Sequence, residues 1–398
     1  MKKIPCLPLF RKHLLALLSL LLFCQFSWAS FLVEKQRFSI DNFQTHNGKT
    51  IPNVTLGWEA YGQLNADKSN AVLITHYFTG SSHAAGKYHE SDAKPGYWDA
   101  IIGPGKAIDT NRFYVISMDT LVNANANDKQ VITTGPASIN PETGKPWGLS
   151  FPVVTIRDFV EAQKALTDSL GIKKLHAVVG PSMGSMQAIE WAVAYPEQVG
   201  KMISVIGVAE ADAWLVAGLQ KWSAPILNDP NWQQGDYYDK TPPLAGLTRS
   251  LATITQEAMH PRIFNQLNPQ HSAMEAGPAA SITQNFKVVD WLYSAAQGRA
   301  SSMDANHILY LVRACQLFIA GHEGNLQNAL NKVQAETLFL PATGDLLLFP
   351  EMAKQAHQQL QQAGKTSHYA EIQGDWGHLD GIYGIQQQAD TIKQFLEQ

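Results

Sequence analysis

The run Gly180-Pro181-Ser182-Met183-Gly184 fits the pattern G-x-S-x-G, and it stands between the apolar run LHAVV and the helical run MGSMQAIEWAVAYP. A serine on such a strand-to-helix turn has its hydroxyl presented above a sheet, and the flanking glycines let strand and helix approach closely. A serine hydroxyl is a weak nucleophile until a positioned base takes its proton. Asp345, in ATGDLLLFP, follows 163 residues later, and His378, in GDWGHLDG, 33 residues after that. Serine, acid, histidine is a known chain order for a device that moves acyl groups. Taken singly, Ser182 also reads as a helix cap, Asp345 as a turn residue and His378 as a loop histidine. Their joint occurrence after three apolar runs favours chemistry. The N–H of Met183, at a helix N-terminus, is suited to stabilise an oxyanion. The second donor is expected in the loop HYFTG after the run AVLIT, from the N–H of Phe78. His76, His83 and His89 lack the compact spacing of a zinc site, so no metal is expected. No P-loop or dinucleotide fingerprint is present, and no resident cofactor is expected.

These residues need elements to hold them. Ala71–Thr75 (AVLIT), Phe113–Ser117 (FYVIS), Leu175–Val179 (LHAVV) and Met202–Val208 (MISVIGV) are nearly continuous apolar runs, as strands buried on both faces of a parallel sheet require. Ile156–Leu170 has apolar residues at three-to-four spacing and predicts a helix packed on that sheet. Strands alternating with helices imply an α/β protein with a doubly wound, mostly parallel sheet. The pattern changes at residue 211, where helical pieces and Pro- or Asn-rich turns take over, and it resumes at TLFLP (337–341) and HYAEI (368–372). The expected organisation is an α/β-hydrolase core over 30–210 and 337–398, with 211–336 inserted as a helical lid.

The chain has 398 residues, 45% hydrophobic and 16% charged, with a formal net charge of −4. No basic run follows the first dozen residues, which argues against a nucleic-acid partner. Residues 1–29 read as a secretory signal: Lys2, Lys3, Arg11 and Lys12, then the apolar run Leu14–Phe26, then Ser27-Trp28-Ala29 with small residues at the cleavage positions. The apolar run is short for a membrane span of ~20 residues, and Phe23 is too bulky before Cys24 for a lipoprotein signal. Cleavage after Ala29 would leave a periplasmic or secreted protein with Cys315 as its one cysteine, in an apolar helical context that suits a buried small hydrophobe.

The runs WEAYGQLN (58–65), NAVLITHYFTGSSHAAG (70–86), GYWDAIIGPGKAIDTNRFYVIS (96–117), TTGPASINPETGKPWGLSFPVVTIRDFVEAQ (133–163) and AVVGPSMGSMQAIEWAVAYPEQV (177–199) resemble the homoserine O-acetyltransferase family of α/β-hydrolase-fold enzymes. The resemblance is dense from 55 to 210, thin through the lid, and returns at Asp345 and His378. It implies a Ser182–His378–Asp345 triad, an acyl-enzyme, a deep tunnel under the lid, oxyanion donors at Phe78 and Met183, and a homodimer through the lid. It also implies that Arg249, in GLTRSLATIT, grips the amino-acid carboxylate. Four departures stand out. The family has Asp directly after its histidine, where it meets the substrate amino group; here Leu379 follows His378, and Asp380 comes one later. The family's G-G-S-M-G-G reads G-P-S-M-G-S, and the stretch before TTGP reads ANANDKQVI rather than Gly and aromatic residues. Finally, the export signal separates the protein from acetyl-CoA and methionine synthesis in the cytoplasm.

The expected function is an exported serine esterase or acyl hydrolase. The alternatives are a homoserine O-acetyltransferase with acetyl-CoA as co-substrate, and an inactive periplasmic binding protein.

Overall fold

The computed structural model describes residues 31–269 and 274–398, so the signal read over 1–29 lies outside the described residues. The central sheet is built from β1 (Gln36–Gln44), β2 (Thr50–Tyr61), β3 (Ala71–Ile74), β4 (Tyr114–Met118), β5 (Leu175–Pro181), β6 (Val199–Val205), β7 (Glu336–Leu340) and β8 (Ser367–Tyr369). Its order is β1-β2-β4-β3-β5-β6-β7-β8. β2 runs antiparallel to both its neighbours, and every pairing from β4 to β8 is parallel.

The apolar runs are strands because each face of the sheet is covered. Leu73, Val178 and Met202 point into one core, while Val72, Ile74, Val179 and Ile203 point into the other. α1 (Ile156–Ser169) opens with a capping box in which Thr155 and Asp158 satisfy each other's backbone N–H groups. α2 (Met183–Ala194) packs on β5 and β6 and is buried almost throughout. The β1–β2 hairpin was not expected: in QRFSIDNFQ most residues are polar and exposed, so an edge strand shows little apolar signal.

Between β6 and β7 lie α3 (Ala213–Leu227), α4 (Leu244–Ala258), α5 (Pro261–Leu267), α6 (Ala276–Ala280), α7 (Lys287–Ala300), α8 (Ala305–Gln316) and α9 (Leu326–Lys332). α4 packs between α3 and α7, while α9 rests on α2 and on α10 (Pro350–Gln362). Cys315 is buried on α8, where burial pushes its thiol up to about 12. Two short elements close the chain, α11 (Asp380–Tyr383) and α12 (Ala389–Glu397). No helix among the described residues is long and apolar enough to cross a membrane.

Candidate active site

β5 delivers Ser182 to a turn that its neighbours enforce. Ser182 has φ +57° and ψ −121°, a backbone that L-residues rarely adopt, and its N–H donates to the carbonyl of Val205 on β6 (2.9 Å). Both glycines of the motif are needed for contact. A methyl group on Gly180 would strike the Thr75 hydroxyl and the Gly184 carbonyl; one on Gly184 would strike the Thr75 carbonyl. Ser185, where the family has glycine, is buried and shares a hydrogen bond with Ser204 (2.6 Å).

The loop after β7 carries Asp345 and the loop after β8 carries His378, so three separate strands converge on one spot. His378 Nε2 lies 2.8 Å from Ser182 Oγ, and His378 Nδ1 lies 2.7 Å from Asp345 Oδ2. Asp345 is 1% exposed, and its other oxygen, Oδ1, accepts the N–H groups of Leu347 (2.9 Å) and Leu348 (3.0 Å). The carboxylate is therefore fully engaged and fixed in orientation. With Nδ1–H donated to Asp345, Nε2 is left as the acceptor for the serine proton.

The N–H groups of Phe78 and Met183 donate to no other group of the described chain, and both residues flank Ser182 in one small pocket. The loop holding Phe78 is fixed by the buried His76. Its Nδ1 donates to the Tyr77 carbonyl (2.8 Å), and its Nε2 accepts from the Thr120 N–H (3.1 Å). Asn123 and Asn125 donate to the carbonyls of Gly80 and Thr79 (both 3.0 Å). Behind the loop, Lys35 is paired with Glu59 (3.0 Å) and Asp119 (3.3 Å). Burial pushes the Glu59 carboxyl up, but the His83 hydrogen bond, the Lys35 charge and Tyr88 outweigh it and bring it down to about 2. His76 and His83 are thus structural members of this loop.

Two cavities meet at Ser182. A cavity of about 500 Å³ is lined by Ser182, His378 and Leu379 from the loops at the sheet's strand ends and by Trp222 of α3 and Trp291 and Arg299 of α7. A second, of about 20 Å³, lies beyond the serine among Met183, Met186, Leu219 and Cys315, with Phe78 and Trp222 shared between the two. It has room for little more than a methyl group or one water.

Arg249 is not brought to either cavity: it stands exposed on α4. Arg299, from the last turn of α7, lines the large cavity in its stead; it lies in QGRASSM, in no recognisable motif, so only the three-dimensional packing reveals it. Asp380 does not replace the acid missing at Leu379. It is buried and accepts the N–H groups of Trp376 and Gly377 (both 3.1 Å), bracing the His378 loop from outside the cavity.

A family model described as alpha/beta hydrolase fold matches residues 135–384. The homoserine O-acetyltransferase of Deferribacter desulfuricans is 37% identical over 359 residues, covering 89% of this chain and 93% of that protein. That of Methanococcoides burtonii is 39% identical over 341 residues, covering 84% and 68%. The crystal structure of esterase E22 superposes with a TM-score of 0.91 at 58% identity, covering 92% of this chain and 100% of that one. Homoserine O-acetyltransferase from Bacillus anthracis gives 0.89 at 36% identity, covering 92% and 98%. Sheet order, elbow and these likenesses agree, and the chain is an enzyme of the homoserine O-acetyltransferase family within the α/β-hydrolase fold.

Proposed function

We propose that this protein is an exported serine esterase that cleaves short-chain carboxylic esters, with water as the acyl acceptor. The observation that carries the reading is the row Ser182–His378–Asp345 opening into a cavity whose lining holds no Asp or Glu. The row is the machinery of acyl transfer, and an acid-free lining offers nothing to pair with the ammonium group of an amino-acid acceptor. The 58% identical neighbour named as an esterase supports the same reading.

In this mechanism Ser182 Oγ attacks the ester carbonyl as His378 Nε2 takes its proton, and Asp345 stabilises the imidazolium formed. The carbonyl oxygen becomes an oxyanion facing the Phe78 and Met183 N–H groups. Collapse breaks the bond to the alcohol oxygen, which leaves with the proton from His378. Water then enters, gives a proton to His378 and attacks the acyl-enzyme; breakdown returns the proton to Ser182 and releases the acid. His378 lines the large cavity and not the small one, so the leaving alcohol sits in the former and the acyl tail in the latter.

The experiment is hydrolysis of p-nitrophenyl acetate by purified protein beginning at Ser30, with Ser182→Ala as control. Hydrolysis by the wild type alone is expected, and failure to cleave any short-chain ester sinks the reading. Export is tested by N-terminal sequencing of the protein recovered from the producing cells, with Ser30 expected first and an intact Met1 counting against cleavage. A second reading, acetyl transfer from acetyl-CoA to homoserine, is favoured by the 35–39% identical relatives. It differs only in which nucleophile resolves the acyl-enzyme.

A further inference from the structure

Arg299 is the permanent cation of the large cavity. Its Nη2 donates to the carbonyl of Leu251 (3.2 Å) and to the hydroxyl of Thr255, both on α4, which fixes the guanidinium plane between two lid helices. Among the described residues its Nε and Nη1 have no hydrogen-bond partner, and neither is a fully buried orphan. The titratable groups it feels are the phenols of Tyr77 and Tyr383, with no carboxylate among them. Both phenols line the same cavity, and Tyr383 is 65% exposed, which puts this polar group at the mouth. A guanidinium this far out of water and without a counter-ion is costly, and an anion that completes its fork relieves that cost. Trp222, Trp291 and Met259 give the same cavity a large apolar share of its lining.

We propose that Arg299, with the Tyr77 and Tyr383 hydroxyls, is a carboxylate-binding site, and that the preferred substrates are short-chain acyl esters of hydroxy acids. The inference rests on the esterase reading above. It assigns the anion to the alcohol side, because the cavity on the acyl side is apolar and of about 20 Å³. It also requires a net negative alcohol: the lining has a cation and no acid, so a zwitterionic amino-acid ester gains at the carboxylate and finds no partner for its ammonium group.

The test compares kcat/KM for γ-acetoxybutyrate and its neutral isostere γ-acetoxybutyramide. Monomethyl glutarate against its monoamide is the acyl-side arm, and O-acetylhomoserine is the zwitterion. Wild type is expected to favour γ-acetoxybutyrate over the amide by about ten- to a hundredfold, the effect of one hydrogen bond to a charge. The ratio is expected to fall to about one in Arg299→Met and to an intermediate value in Arg299→Lys. A wild-type ratio of one, a ratio unchanged in Arg299→Met, a charge preference confined to monomethyl glutarate, or O-acetylhomoserine as the best ester each overturns the proposal. If none of these esters is cleaved, the esterase reading fails, and calorimetric titration with γ-hydroxybutyrate decides the site. Binding to wild type and not to Arg299→Met supports it; no binding to wild type overturns it.

Discussion

Asp345→Asn isolates the orienting acid with almost no change in volume. Oδ1 accepts two backbone N–H groups, from Leu347 and Leu348. An asparagine must keep its carbonyl oxygen there, because its amide group would set donor against donor. The NH₂ then faces His378 Nδ1, now 2.7 Å away, and forces that nitrogen to accept. The ring proton moves to Nε2, which can no longer take the proton of Ser182. The charge that stabilises the imidazolium is lost as well. Wrong tautomer and lost charge together predict a fall in kcat of about 10³–10⁴-fold, or about 4–5.5 kcal/mol at 1.36 kcal/mol per tenfold. KM should change little, since Asp345 lines neither cavity. The assay is steady-state hydrolysis of p-nitrophenyl acetate with the thermal midpoint measured alongside. A folded Asp345→Asn that keeps kcat within tenfold of wild type, or changes only KM, would show that Asp345 does not set the His378 tautomer.

Leu379→Asp puts a carboxylate into the acid-free lining; kcat/KM for O-acetylhomoserine relative to a neutral acetate should rise about tenfold, the scale of one partly desolvated ion pair, and an unchanged ratio rejects the steering role of this position. The pocket beyond Ser182 should limit the acyl group: hydrolysis of p-nitrophenyl esters should decline from acetate to hexanoate, and Met186→Ala should move the optimum to longer chains, a flat profile in wild type counting against it. Folding stability should fall on acidification. Burial holds His76 and His307 below the usual imidazole range and brings His322 to about 4, with His46 and Arg157 adding to the last. The unfolded chain takes up protons near pH ~6.5 that these folded sites refuse. Stability is therefore full above that pH and is lost below it, about 1–2 kcal/mol for His322 alone by about pH 5; a thermal midpoint equal at about pH 7.5 and about pH 5 contradicts this.

The doubly wound sheet was legible because β3–β7 are buried on both faces and so carry nearly continuous apolar runs. β1 was not, because a polar edge strand presents little pattern to read. Ser182, Asp345 and His378 were legible for a related reason: each follows a strand, and strand ends are strong local signals. The cavity lining was another matter. Arg249 fits the family's run in GLTRSLATIT yet stands exposed on its helix, whereas Arg299 sits in no motif and reaches the cavity because α7 packs across α4. Which face of a helix between β6 and β7 meets a cavity depends on how several helices cross, and that is not encoded in any one of them. Asp380 shows the same limit at the scale of one residue. Placed one position later than the family's acid, it turns to the N–H groups of Trp376 and Gly377 and out of the substrate's space.

In the proposed reaction Ser182 passes its acyl group to water. One preparation offered, in parallel, p-nitrophenyl acetate and acetyl-CoA with homoserine distinguishes water from homoserine as the acceptor, with Ser182→Ala as control. Ser182-dependent release of p-nitrophenol and no homoserine-dependent release of thiol are expected. Homoserine-dependent thiol release that outpaces ester hydrolysis and disappears in Ser182→Ala would contradict the proposed reaction.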